Sequence, residues 1–221
     1  MKHNKPLYIV DFDDVLVNMS WKWAMKAYSS ICTPKEICDT VINSTKKWLY
    51  DKFNQPEGNI LDYYLSDKNF YSDLPPTRFC EKLNKISDKN DVFVISYIME
   101  SWNADDKANW LKKYLPNAKY QFVYYKTGIK KSEIINNFEL GDYIAFADDR
   151  ISNIVDVMEN TNSENKMFYI PRFGCNSIDM IMEKLKNNNW MRERNIIPFY
   201  MSDLYVENYS ILDKVDWHKW V

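Results

Sequence analysis

Leu7-Tyr8-Ile9-Val10 is an unbroken apolar run that stops on Asp11-Phe12-Asp13-Asp14, and the same device recurs further along the chain. Val92–Ile95 stops on Ser96, and Tyr143–Ala147 stops on Asp148-Asp149. Short runs of β-branched and aromatic residues with no polar alternation are strands buried on both faces, the mark of a parallel sheet covered by helices. Strands are expected at Leu7–Phe12, Val92–Ser96, Tyr120–Tyr125, Tyr143–Ala147 and Met167–Ile170.

Helical patterns fall between the later strands. Asn103–Leu115 puts Trp110, Leu111, Tyr114 and Leu115 on one side, and Pro116 stops it. Ser132–Phe138 carries Ile134, Ile135 and Phe138, with Ser132 as a plausible cap, and Ile151–Met158 is apolar at 151, 154, 155 and 158. Pro75-Pro76-Thr77 opens a helix with Phe79, Leu83 and Ile86 on one face. The alternation predicts an α/β fold, a doubly wound (Rossmann-like), mostly parallel sheet with right-handed crossovers.

One connection breaks the rhythm. Residues 18–74 contain no convincing buried strand but many aromatics, and a link of that length is a subdomain, not a loop. A helical cap is expected there, inserted after the first strand and lying over the strand ends. The core then comprises residues 1–17 and 75–187. Beyond Asn187 the pattern weakens, and residues 188–221 are expected as an extension packed on the core; a homodimer contact there is the alternative.

Composition narrows the function. The 221 residues are 46% apolar and 16% aromatic, enough for a sizeable core. A net charge of −2 offers no broad attraction for nucleic acid or anionic lipid, so extended nucleic acid is not expected as a partner. No run approaches the ~20 apolar residues of a membrane span, and the apolar run after Lys5 is too short for a signal peptide. Four cysteines (Cys32, Cys38, Cys80, Cys175) without metal-site spacing point to free thiols in a reducing cytoplasm. Four glycines in the whole chain exclude glycine-rich phosphate loops.

The strand-end residues suit phosphoryl transfer. Ligands of open α/β sheets bind outside the carboxyl ends of the strands, at the topological switch point. Asp11 there can attack phosphorus, while Asp13 protonates a leaving oxygen and later takes a proton from water. Adjacent carboxylates repel, so a hard cation such as Mg2+ is expected to bridge them. Ser96 can donate to a phosphoryl oxygen, with Tyr97 beside it. Lys130 and Lys131 stand at a helix N-terminus, where the dipole already favours anions, so two lysines there suggest a bound phosphoryl group. Asp148-Asp149 would complete the cation site, with Arg150 placed to hold one of them by an ion pair. Each element alone has a plainer account: a solvated turn, a helix cap, a surface lysine.

In this order the four elements resemble the haloacid dehalogenase-like (HAD) phosphohydrolase superfamily, over residues 5–20 and 75–175. The resemblance implies that Asp11 forms an aspartyl-phosphate, that Asp13 is the general acid and base, and that Ser96 and Lys131 hold the transferring group. It implies Mg2+ bound by the Asp11 carboxylate, the Asp13 carbonyl and Asp149, with Asp148 assisting. Lys131 is preferred to Lys130 because Lys-Ser-Glu-Ile-Ile looks like the usual lysine-initiated helix. Asp14 stands where glycine is usual, and the presence of Asp13 argues against a haloacid dehalogenase proper.

Val-Asp-Phe-Asp-Asp-Val-Leu-Val-Asn, Asp-Val-Phe-Val-Ile-Ser, Lys107–Leu115 and Phe-Ala-Asp-Asp-Arg look most like the 5′(3′)-deoxyribonucleotidase group. That likeness implies a phosphomonoesterase acting on a small phosphorylated metabolite, a (deoxy)nucleoside monophosphate, with Trp21, Trp23 and Phe53 of the cap as candidates to stack on the base. Tyr97 and Lys130 join them as candidate substrate contacts. A polynucleotide 3′-phosphatase and a catalytically silent binding protein of the same fold are the competing readings.

Overall fold

A computed structural model of the chain describes residues 5–19, 68–72, 74–171 and 196–199. The elements follow in chain order: β1 (Leu7–Val10), α1 (Arg78–Ile86), β2 (Asp91–Ile98), α2 (Ser101–Tyr114), β3 (Lys119–Tyr124), α3 (Lys131–Asn137), β4 (Tyr143–Ala147), α4 (Ile151–Asn160), β5 (Met167–Pro171) and β6 (Ile196–Phe199). They build one six-stranded sheet of order β3-β2-β1-β4-β5-β6, with every pairing parallel.

Side-chain alternation explains why the strands read as continuous apolar runs. Tyr8, Val10, Val92 and Val94 face a core shared with Cys80 and Leu83 of α1 and Trp110 and Leu111 of α2. Leu7, Ile9, Phe93 and Ile95 face the other core, with Ile134 and Ile135 of α3 and Ile154 and Val157 of α4. Helices cover both faces, so neither face needs polar residues.

From β1 the chain passes to β2 on one side, while β4 pairs with β1 on the other. The crevice at the carboxyl ends of β1 and β4 is therefore the switch point where such sheets bind ligands. Val10 lies in register with Ala147 and with Val94, which aligns the ends of all three strands.

Three departures from expectation matter here. β1 ends at Val10, because the chain turns and the Phe12 carbonyl accepts the N–H of Leu16 at 2.9 Å. Asp14 in that turn is buried at φ 55°, a left-handed conformation that aspartate tolerates better than most residues. Ser132 is no cap: α3 starts at Lys131, the Lys130 N–H donates to Glu133 Oε1 at 3.0 Å, and the Ser132 N–H donates to Asp156 Oδ2 at 3.2 Å. Ile196–Phe199, within the stretch expected as an extension packed on the core, is the strand β6, at the edge of the sheet among the described residues; Pro198 is tolerable at an edge because the missing N–H need not meet a neighbour.

The chain departs after β1 and returns before α1 at one place. Val17 forms bridges with both Asp13 and Pro76, and the Thr77 N–H donates to the Leu16 carbonyl at 2.8 Å. Thr77 also caps α1, accepting from the Cys80 N–H at 3.2 Å while its hydroxyl donates to the Val15 carbonyl at 2.7 Å. Most of the expected cap, with Trp21, Trp23 and Phe53, lies outside the described residues, as does most of 188–221. Among the described residues, no helix is long and apolar enough to cross a membrane.

Candidate active site

Asp11 is the first residue past β1, and the ladder continues through it: its N–H donates to the Ala147 carbonyl at 2.8 Å. Asp148 occupies the matching place after β4, its N–H donating to the Tyr169 carbonyl at 3.1 Å. Neighbouring strands thus deliver two carboxylates side by side. Lys131, in the first turn of α3, reaches between them. Its Nζ lies 2.8 Å from Asp11 Oδ1 and 2.6 Å from Asp148 Oδ2, with only 1% of the side chain exposed.

Burial alone would lower the affinity of Lys131 for its proton. The Asp11 and Asp148 charges outweigh that and hold the ammonium above the ordinary lysine range, so it stays charged. Asp148 is bound from other sides too: Oδ1 accepts from the Arg150 backbone N–H at 2.8 Å and from Asn153 Nδ2 at 2.9 Å. Arg150 thus meets Asp148 through its main chain, while its guanidinium lies 6.0 Å from the Tyr125 ring centroid.

Asp11, Asp148 and Asp149 are all buried, and each offers an oxygen within 4.8 Å of the others. An oxygen-only donor set of converging carboxylates is the chemistry that a hard divalent cation such as Mg2+ takes. The residues therefore fit that ion.

A second cluster surrounds Asp13. Its Oδ2 accepts from Lys107 Nζ at 2.6 Å and its Oδ1 from the Tyr71 hydroxyl at 2.8 Å. Lys107 is fully buried; its Nζ also donates to Ser96 Oγ at 2.8 Å and to the Tyr97 carbonyl at 2.9 Å. One ammonium thus joins Asp13, in the turn after β1, to the serine in β2. The sequence signal for Lys107 lay in its place on α2: it falls one turn before Trp110 and Leu111 and one turn after Asn103, all buried. A charge within such a stripe needs an interior partner.

The remaining candidates divide. Tyr97 stays near the cluster, with the Lys131 Nζ 5.6 Å from its ring centroid; its hydroxyl donates to the Ile129 carbonyl at 2.9 Å. Burial raises the Tyr97 phenol's pKa, with Lys131 pulling against it. Lys130 is not brought in: its exposed ammonium faces Asp156 Oδ1 at 3.6 Å, because as the residue before α3 it points away from the interior that Lys131 enters.

A carboxylate, a buried lysine and an acidic pair thus meet at the switch point of a doubly wound sheet, and the family that residues 5–142 match makes the chain a HAD-like phosphoric monoester hydrolase. Residues 5–142, more than half of the chain, match the family of 5′ nucleotidase, deoxy (pyrimidine), cytosolic type C proteins (NT5C), and the chain belongs to that family. No curated protein matches it.

The chain is also similar to solved structures, the first of which shares its fold. A haloacid dehalogenase-like hydrolase from Burkholderia xenovorans LB400 is 12% identical, with a TM-score of 0.51 over 91% of this chain and 98% of that one. The HAD-hydrolase YfnB from Bacillus subtilis, bound to magnesium, is 10% identical, with a TM-score of 0.43 over 83% of this chain and 100% of that one. A HAD-superfamily hydrolase of subfamily IA from Geobacter sulfurreducens is 11% identical, with a TM-score of 0.44 over 83% and 99%.

Proposed function

We propose that the chain is a Mg2+-dependent 5′(3′)-deoxyribonucleotidase that dephosphorylates nucleoside monophosphates through an aspartyl-phosphate. The observation that carries this is the contact of Lys131 with both Asp11 and Asp148 at the carboxyl ends of β1 and β4. It sets the Asp11 carboxylate beside a cation that can balance a phosphoryl group.

In the first half-reaction an Asp11 carboxylate oxygen bonds to phosphorus. The ester P–O bond breaks, and its electron pair leaves with the nucleoside oxygen, which takes the proton of Asp13. In the second, Asp13 accepts a proton from water as the water oxygen attacks phosphorus; the P–O bond to Asp11 breaks and phosphate departs. Lys131 and the Ser96 hydroxyl hold the equatorial oxygens, where charge grows in the transition state.

Mg2+, when bound, would neutralise phosphoryl charge and screen Asp11 from the anionic substrate. Asp11, Asp149 and the Asp13 carbonyl would hold it. Asp148, whose oxygens already serve Lys131, Asn153 and the Arg150 N–H, would assist. The NT5C match supports a nucleotide as substrate. Trp21, Trp23 and Phe53 remain the proposed base contacts, on a cap proposed over residues 18–74, and a reducing cytoplasm is the proposed compartment.

The test combines turnover with trapping. With Mg2+ the protein should hydrolyse p-nitrophenyl phosphate and prefer deoxynucleoside monophosphates over sugar phosphates. Chelation should stop it, and acid quenching should leave a phosphoryl adduct on Asp11 that Asp11→Asn lacks. Turnover that survives in Asp11→Asn would overturn the mechanism.

A further inference from the structure

Asp13 lies beyond the end of β1, on a turn, with a fifth of its side chain exposed. A carboxyl group so placed can rotate about two side-chain torsions. A proton donor to a leaving group must instead be held within a fraction of an ångström and a few tens of degrees of its working pose. One donor on one oxygen restrains the group's distance but leaves it free to swing. Two donors from different directions, one on each oxygen, fix its plane.

The structure supplies two such donors from separate elements: Lys107 of α2 on Oδ2 and the Tyr71 hydroxyl on Oδ1. Tyr71 is itself held on all sides. Its backbone N–H donates to Asp106 Oδ2 at 2.7 Å, and the next residue, Ser72, donates its hydroxyl to Asp106 Oδ1 at 2.7 Å. Its ring stands edge-on to Phe12, centroids 5.2 Å apart, and lies 5.0 Å from the Lys107 Nζ. The hydroxyl is also 3.6 Å from Met19 Sδ, a weak acceptor beside a carboxylate. Asp106 and Lys107 are consecutive on α2, so one helical turn anchors both the tyrosine and the acid that it touches.

We infer that Tyr71 is a positioning residue for Asp13: its hydroxyl, seated by Asp106, fixes the carboxyl plane from which Asp13 delivers a proton to the leaving oxygen. The inference rests on the proposed acid–base role of Asp13, and it deepens that role. Tyr71 would touch neither substrate nor phosphorus. Its effect should therefore depend on how much the leaving group needs a proton.

Tyr71→Phe keeps the ring and its packing and removes one hydrogen bond. The comparison is kcat/KM, which reports the phosphoryl-transfer half alone, for a deoxynucleoside 5′-monophosphate and for p-nitrophenyl phosphate, whose leaving group departs without protonation. In Tyr71→Phe the nucleotide value should fall about five- to tenfold, as expected for the loss of one hydrogen bond that holds the acid in place. The p-nitrophenyl value should fall less than about threefold. Asp13→Asn, measured alongside, should show the same selectivity with a larger loss.

If Asp13→Asn is selective but Tyr71→Phe equals wild type, or loses both substrates equally, Tyr71 does not position the acid and the inference falls alone. If Asp13→Asn itself discriminates between neither substrate, the acid role falls and takes the inference with it.

Discussion

Lys131 shows how much a single buried cation carries. It is the shared partner of Asp11 and Asp148, and both carboxylates hold its proton more tightly than burial alone would allow. Lys131→Met would leave two carboxylates facing each other in the interior, a loss of about 3–5 kcal/mol when one partner of a buried pair is removed. In a chelator the variant should melt roughly 10 °C or more below wild type. Added Mg2+ should recover more of that loss than it adds to wild type, because the ion replaces part of the missing charge. Turnover should fall by at least about a hundredfold, the scale of losing one donor to a developing oxyanion. A variant as stable as wild type without divalent ions would contradict this account. The choice between two adjacent lysines turns on where the helix begins. Successive helical residues point about 100° apart, so once Lys131 is the first residue of α3 and enters the interior, Lys130 is turned outward toward Asp156.

At the level of the elements, Thr77 joins pieces far apart in sequence. It caps α1 and donates to the Val15 carbonyl in the turn that follows Asp13. Thr77→Ala should cost about 2 kcal/mol, from the lost cap and a carbonyl left without its donor. That corresponds to roughly 4–8 °C in melting temperature. Because the same turn carries Asp13, kcat should fall with stability, whereas Thr77→Ser should retain both. An Ala variant that melts like wild type would remove the staple from the account. The strands were legible because a short run such as Val92–Ile95 followed by Ser96 is a local signal, complete within a few residues. Lys107 and Tyr71 were not, because the partner that each of them meets is Asp13, 94 and 58 residues away. The stripe on α2 marks Lys107 as interior but not which residue it meets there. β6 escaped for a related reason: four residues containing a proline form a strand only where an edge is waiting for them.

For the molecule as a whole, the buried titratable groups point in one direction. Burial, with Glu81 adding to it, pushes the Cys80 thiol up to about 12. Burial likewise raises the phenols of Tyr8, Tyr143 and Tyr169. An acid whose folded value is raised keeps its proton while the unfolded chain releases one, so stability is intact below the ordinary value and falls as pH rises above it. Lys131, a base with a raised folded value, likewise contributes fully below the ordinary lysine value and loses its contribution as pH climbs through the folded one. Through these groups, stability should hold to about pH 9 and decline toward about pH 12, the interval set by Cys80. Urea midpoints measured across that interval check it; a flat profile would refute it. The stem at Val17 has a different consequence. Since the departing and returning chain already adjoin at Pro76 and Thr77, a longer or shorter excursion between them starts from ends that have met. Each doubling of such an excursion costs only about 0.6 kcal/mol in closure entropy. Exchanging the excursion on this stem should thus cost little stability and leave the strand-end carboxylates where they stand.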